Sequence, residues 1–122
     1  MISVLPIDTA ATRGRPLALK VTGDMGLSTA SVLEHAVNEV LTDRTVILDL
    51  TGVTFCDSSG LNTLLRLRRR AQDVGGQLIL AAPPRQMMRL RAITGAATVF
   101  VIYTSLAEAL QAPPALGAPP PS

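Results

Sequence analysis

The chain has 122 residues, 48% of them hydrophobic and only 2% aromatic, which suits one domain with an aliphatic core. Its single cysteine, Cys56, excludes an internal disulfide and fits a reducing compartment. No apolar run reaches the roughly 20 residues of a membrane span and no signal-peptide pattern opens the chain, so we expect a cytoplasmic protein without membrane contact.

The charges are distributed unevenly, although the net charge is only +2. Residues 1–60 carry four basic and seven acidic side chains, whereas residues 61–100 carry seven arginines and one aspartate. The absence of stacking aromatics and of nucleic-acid motifs argues against a nucleic-acid partner. A solvated helix face or a patch for an acidic protein partner is the favoured interpretation.

The chain opens with two predicted strands. Ile2–Ile7 is predicted to be a short edge strand, the position in a sheet where Pro6 is tolerated. In 17–22, Leu17, Leu19 and Val21 alternate with Ala18, Lys20 and Thr22, which predicts a half-buried strand. That strand ends at the tetrad 23–26, Gly-Asp-Met-Gly.

A helix is predicted next, with its start at Ser28, Thr29 or Ser31. Ser31 with Glu34 fits a capping box. The predicted apolar stripe consists of Val32, Leu33, Ala36, Val37, Val40 and Leu41. His35 falls opposite this stripe, so we expect it to be solvated rather than a base or a metal ligand.

The stretch Thr45–Leu61, TVILDLTGVTFCDSSGL, is predicted to run from a buried strand into the start of a helix. Its serine pair therefore lies at a helix N-terminus, where free backbone N–H groups and the helix dipole favour a phosphate. Simple N-capping by Asp57 or a serine is the alternative, and Ser59 is expected to be better placed to cap than Ser58.

The following helix is predicted to have one apolar side and one polar arc. The apolar side comprises Leu61, Leu64, Leu65, Ala71 and Val74, and the outer arc comprises Asn62, Thr63, Arg66, Arg69, Arg70 and Asp73. Gly75 and Gly76 end this helix. The arginines on the outer arc are expected to influence partner association more than stability.

The last third of the domain repeats the alternation of strand and helix. We predict a strand over 77–82, a helix over 85–93 with Met87, Met88 and Leu90 in the core, and a strand over 98–103. Ser105 and Glu108 form a second capping box. Residues 112–122, APPALGAPPPS, cannot pack a core, so the domain is expected to cover 1–111 and to be followed by a disordered tail.

The predicted order, β-β-α-β-α-β-α-β-α, indicates a single α/β domain in which about four helices pack on a mixed sheet. The segment DLTGVTFCDSSGL closely resembles the signature of the STAS domains of bacterial anti-sigma factor antagonists. The resemblance continues in GGQLILAAPP, RLRAITG and VFVIYTSLAEAL, and covers roughly 17–110. It implies the STAS fold, with Ser58 as the phosphorylated residue.

The resemblance also implies a regulatory function without catalysis or a cofactor. The protein would bind an anti-sigma factor that is itself a serine kinase using its own ATP, and so release a sigma factor; a phosphatase would reset Ser58. The residues implied in partner binding are Asp24, Asp57, Ser58, Ser59, Gly60, Asn62 and Arg66.

The sequence departs from the family pattern at one position. The pattern reads G-[ED]-[LI]-D, and here Gly26 replaces the last acid. The contact that a kinase usually makes with that acid is therefore in question for this chain. The second hypothesis is therefore a STAS binding subunit of a transporter or lipid-trafficking complex that is never phosphorylated. The residues Asp57-Ser58-Ser59 favour the phosphorylated protein over this alternative.

Overall fold

The computed structural model describes residues 2–7, 16–94 and 100–111, with side chains at all of these except 90–94. Within these ranges the element order agrees with the prediction. The elements are β1 Ile2–Ile7, β2 Leu17–Met25, α1 Ala30–Asn38, β3 Thr45–Cys56, α2 Ser58–Asp73, β4 Gln77–Ala81, α3 Arg85–Thr94, β5 Val101–Tyr103 and α4 Leu106–Gln111.

The strands form one mixed sheet in the order β1-β2-β3-β4-β5. β1 pairs antiparallel with β2 at the edge, where Pro6 is tolerated, and β2 to β5 run parallel. β3 lies at the centre and is buried over Val46–Leu50. Its carboxyl end extends beyond the last residue paired with β4, which is Asp49, and carries the chain to the start of α2.

Two hydrophobic clusters hold the helices to the sheet. The larger cluster joins β2, β3 and β4 to inward residues of α1, α2 and α3, among them Leu33, Leu64 and Met87. The smaller cluster lies under α4 and contains Ala18, Ile47, Ile79, Ala81 and Ala109. Ala18 was predicted on the open face of a half-buried strand, and that prediction is wrong because α4 covers this part of the sheet.

Helix α1 begins differently from the predicted capping box. Thr29, one of the three predicted starting residues, occupies the N-cap position, and Ser31 lies inside the helix and is exposed. The Thr29 hydroxyl does not cap the helix; it donates to the Asp24 carbonyl at 2.8 Å and accepts from the Gly26 N–H at 2.9 Å. Val32 is exposed rather than part of the buried stripe.

Helix α2 buries a wider face than its apolar residues predict. Thr63 was placed on the outer arc but is fully buried, and its hydroxyl donates to the Ser59 carbonyl at 2.9 Å. This bond within the helix satisfies the hydroxyl, so the side chain can be buried beside α1. Leu67 is also buried, whereas Val74, predicted on the inner side, is 43% exposed.

The C-terminal part follows the prediction with one change at α4. The Ser105 hydroxyl accepts from the Glu108 N–H at 3.1 Å, as a capping box requires. The Glu108 carboxylate, however, accepts from the Thr104 hydroxyl at 2.6 Å, which is outside that motif. The predictions for residues 98–99, the Leu90 side chain and the tail 112–122 lie outside the described residues.

Candidate functional site

The candidate site lies where β2 and β3 end side by side. Met25 is the register partner of Cys56, and the Asp57 N–H donates to the Met25 carbonyl at 3.1 Å. The loop that leads into α1 therefore lies directly beside the turn that leads into α2. As a result, the tetrad 23–26 and the serine pair, which are more than 30 residues apart in sequence, form one surface.

The Asp57 carboxylate joins these two segments. Asp57 is the extended N-cap of α2, and its Oδ1 accepts from the Gly60 N–H at 3.0 Å. Its Oδ2 accepts from the Leu27 N–H at 3.3 Å. The sequence-based alternative of capping by aspartate is thus confirmed, while the expectation that Ser59 is the better cap is wrong, because Ser59 is already the second residue of the helix.

Ser58 is the first residue of α2 and is exposed. In the described part of the chain its hydroxyl makes no hydrogen bond. It lies at the positive end of a 16-residue helix, where an added phosphate is favoured by the helix dipole and by the N–H groups of the first turn. The position is therefore open to modification from solvent without unfolding of the helix.

Gly60 serves the packing of the site rather than its surface. It is buried, and a Cβ added there would lie 2.4 Å from the Met25 carbonyl oxygen. Real Cβ atoms do not approach backbone oxygen so closely, so only glycine allows α2 to begin this close to β2. Gly60 thereby allows the start of α2, with Asp57 and Ser58, to lie directly against the end of β2.

The remaining predicted partner-binding residues lie on both sides of Ser58. Asp24 is half-buried in β2, opposite Phe55 of β3, and Asn62 is exposed on α2. Arg66 is partly engaged, because its Nε and Nη2 lie 3.3 Å from the Glu34 carboxylate oxygens and link α2 to α1. Such an exposed pair contributes little stability.

Asn62 and Arg66 also line a shallow depression in the outer face of α2. Its other lining residues are Leu65 and Arg69, and its volume is about 250 Å³. The predicted partner-binding residues are thus not gathered in one pocket. They follow the carboxyl end of the sheet and the exposed side of α2.

The local geometry is consistent with glycine at position 26. A Cβ there would lie 3.1 Å from the Asp57 Oδ2, so an acidic side chain would be directed toward an existing carboxylate. Two carboxylates placed side by side repel each other. The loop itself is well anchored, through the two bonds of the Thr29 hydroxyl and the bond between the Leu27 N–H and Asp57.

Two residues near Ser58 were not identified as site residues from the sequence. Leu27 is 80% exposed and Phe55 is 42% exposed. The reason for Phe55 is a register irregularity: Gly23 pairs with Val53 but Asp24 pairs with Phe55, so Thr54 is an extra residue in β3. The alternation therefore shifts, and Val53 and Cys56 are buried while Phe55 is not.

Other chemistry-bearing residues contribute little near this site. Burial, with a further effect of the Asp57 charge, raises the pKa of the Cys56 thiol to about 11, which makes it a poor nucleophile. His35 is 77% exposed on its side chain, and its Nε2 lies 3.0 Å from Glu39, in agreement with the predicted solvated position. Among the described residues no three His, Cys, Asp or Glu side chains are grouped to hold a metal, and no helix could span a membrane.

Comparison with known proteins gives one family and several similar structures. The family model for the STAS domain matches residues 9–109. A solved anti-sigma factor antagonist from Mycobacterium paratuberculosis is 27% identical with a TM-score of 0.75, and the match covers 90% of this chain and 92% of that one.

Two further structures are similar in fold. The Bacillus cell fate determinant SpoIIAA, in its phosphorylated form, is 18% identical with a TM-score of 0.63, over 88% of this chain and 96% of that one. The murine anion transporter Slc26a9 is 16% identical with a TM-score of 0.71, over 88% of this chain but only 21% of the transporter.

Proposed function

This chain belongs to the STAS domain family, and we propose that it is an anti-sigma factor antagonist controlled by phosphorylation of Ser58. The observation that carries the proposal is the exposed Ser58 at the first position of α2, beside a capping Asp57. The similarity to the mycobacterial antagonist over nearly the full length of both chains supports the same function.

In the proposed cycle the unphosphorylated protein binds an anti-sigma factor, a serine kinase, in the cytoplasm and so releases a sigma factor. The kinase then transfers the γ-phosphoryl group of its ATP to the Ser58 oxygen. The new oxygen–phosphorus bond replaces the bond to ADP, and the hydroxyl proton is lost. A phosphatase hydrolyses the phosphoserine and completes the cycle. The antagonist is a substrate and a ligand in these steps rather than an enzyme.

The side chains around Ser58 indicate which of the two proteins supplies the groups needed for phosphate transfer. Both oxygens of Asp57 already accept backbone N–H groups, so Asp57 is engaged in holding the turn. We therefore assign the base that accepts the Ser58 proton to the kinase, together with ATP and Mg²⁺. Asp24, Ser59, Asn62 and Arg66 are assigned to the surface that meets the kinase.

A phosphate on Ser58 would act locally. It adds roughly −1.5 to −2 charge at a helix start that tolerates an anion, so the domain need not refold. The added charge lies on the surface that the partner must cover, and the neighbouring Asp57 adds to the negative potential. Binding of the anti-sigma factor should therefore weaken while the fold persists.

A second candidate is a STAS binding subunit that is never phosphorylated. The similarity of the fold to Slc26a9 and to a sulfate transporter family protein from Wolinella succinogenes favours this candidate, as does glycine at position 26. The exposed serine at the start of α2 favours the antagonist.

The test compares Ser58→Ala, Ser58→Asp and Ser59→Ala after incubation with serine-kinase anti-sigma factors of the source organism and ATP. We expect one phosphate on Ser58 by phosphopeptide mapping, none in Ser58→Ala, and normal phosphorylation in Ser59→Ala. Ser58→Asp should bind more weakly than Ser58→Ala. Phosphate on Ser59, or equal affinity of the two Ser58 variants, would contradict the switch. Neither binding nor phosphate transfer with any of these kinases would favour the second candidate.

A further inference from the structure

Two of the five exposed large apolar side chains in the described residues lie beside the candidate phosphorylation site. Leu27 and Phe55 flank Gly26, and the Phe55 Cε2 lies 3.6 Å from the position a Gly26 Cβ would occupy. Gly26 itself is buried between Asp57 and Phe55, so the side chains of Leu27 and Phe55 form the exposed part of this surface. Neighbouring apolar side chains on a soluble domain commonly mark a contact surface.

This apolar surface is held in place before any partner arrives. The Leu27 N–H is bonded to Asp57, and the Thr29 hydroxyl bonds both Gly26 and Asp24. A partner therefore gains contact with these side chains without having to order the loop first, which makes such a contact effective.

A second surface extends from Ser58 in the other direction, along α2. Ser58, Asn62, Leu65 and Arg69 follow one another at spacings of four, three and four, so they lie on one side of the helix. Within the described residues Arg69 has no ion pair, whereas Arg66 has Glu34. This stripe ends at a cation, Arg69, and it includes three of the four residues that line the depression on α2.

A kinase that phosphorylates Ser58 binds at the point where these two surfaces meet. The Ser58 oxygen has to enter the partner's active site in line with the phosphate. A specific interface covers about 800 Å² on each protein, which extends well beyond one side chain. Leu27 and Phe55 on one side and Asn62 and Leu65 on the other fall within such an area around Ser58.

We propose that Leu27, Phe55, Asn62, Leu65 and Arg69 form the surface that receives the serine kinase, which contributes apolar side chains over Gly26 and acidic side chains along α2. This inference rests on the proposed function and adds the chemistry of the partner. A partner that recognises an acid at position 26 is excluded, because Gly26 has none and Asp57 is engaged by two N–H groups.

The same arrangement accounts for the effect of the phosphate. A phosphoserine at 58 would place its negative charge between the apolar surface and the basic stripe. An acidic kinase surface seated along α2 would then be repelled. Dissociation follows from the charge, and no change in the fold is required.

The experiment uses the full chain and each purified serine-kinase anti-sigma factor of the source organism, with ADP for binding and with ATP for phosphate transfer. The variants are Leu27→Ser with Phe55→Thr, Leu27→Ala alone, and Arg69→Gln. The matched controls are Val74→Ser, which alters an exposed apolar residue near the far end of α2, and Lys20→Gln, an exposed cation on the α4 side of the sheet. Thermal melting confirms that each variant is folded.

We expect the double variant to bind the kinase at least tenfold more weakly, and Leu27→Ala severalfold more weakly. Arg69→Gln should slow association severalfold at low salt and match the wild type at high salt, because exposed charges are screened. Both controls should behave as the wild type. If the wild type is phosphorylated while the double variant and Arg69→Gln bind within twofold of it, the proposed surface is refuted and the proposed function stands. If no kinase phosphorylates the wild type, the proposed function fails, and this inference fails with it.

Discussion

Replacement of Gly60 by alanine tests the close packing that positions Ser58. The new Cβ would lie 2.4 Å from the carbonyl oxygen and 3.0 Å from the carbonyl carbon of Met25. Both obstacles are backbone atoms of β2, so they cannot rotate away as a side chain can. The first turn of α2 has to move away from the sheet, and the bond from the Asp57 N–H to the same carbonyl is stretched.

Two effects of opposite sign decide the result. Overpacking costs about 1–3 kcal/mol, and the upper end applies here because the neighbour is backbone. Alanine gains at most about 1 kcal/mol over glycine from helix propensity. The net expectation is a loss of about 2 kcal/mol in the free energy of unfolding. At about 4 °C per kcal/mol for a domain of this size, the melting temperature should fall by about 8 °C.

Thermal unfolding followed by circular dichroism measures this loss, with Gly26→Ala as the matched control. The Cβ of that control would meet the Asp57 side chain at 3.1 Å, and a side chain can move, so its melting temperature should change far less. Phosphate transfer to Ser58 should slow in Gly60→Ala, because the serine is displaced. A Gly60→Ala protein that melts at or above the wild-type temperature would refute the role assigned to this glycine.

Three further predictions concern the cap, the loop and the tail. Asp57→Ala should lose about 1–2 kcal/mol in chemical denaturation because α2 loses its cap, whereas Ser59→Ala should stay within about 0.5 kcal/mol of the wild type; a reversed order would contradict the assignment of the cap. Gly26→Asp should be less stable than Gly26→Asn at neutral pH. The new carboxyl has a raised pKa in the folded state beside Asp57, so the difference should disappear as the pH falls and the carboxyl takes up a proton; melting curves across pH measure this, and equal stability at neutral pH would count against it. Truncation before residue 112 should leave the melting temperature within a few degrees, and a larger drop would mean that the tail packs on the domain.

Local patterns in the sequence were sufficient for the order of elements and for the location of the candidate site. The period of two in β3 and the helical spacing in α2 place the change from strand to helix at Asp57, as the structure has it. The solvated position of His35 likewise follows from helical spacing alone. These predictions succeed because backbone periodicity and capping depend on neighbours in sequence.

Other features depend on contacts between distant segments. The exposure of Phe55 follows from the extra residue at Thr54, which is defined only by the pairing of β3 with β2. Ala18 is buried because α4 covers it, and Thr63 because α1 packs beside α2. No local pattern carries this information, since the same residues would be solvated if the neighbouring element were absent.

Gly60 shows most directly the difference between features that follow from local sequence and features that follow from tertiary packing. In the sequence analysis Gly60 entered only as a residue that the family resemblance implies in partner binding. Glycine is required at position 60 because the carbonyl oxygen of Met25, thirty-five residues earlier in the chain, leaves no room for a Cβ. Periodicity determines where a helix begins, but the distance between two backbones is decided only when the sheet and its helices pack together.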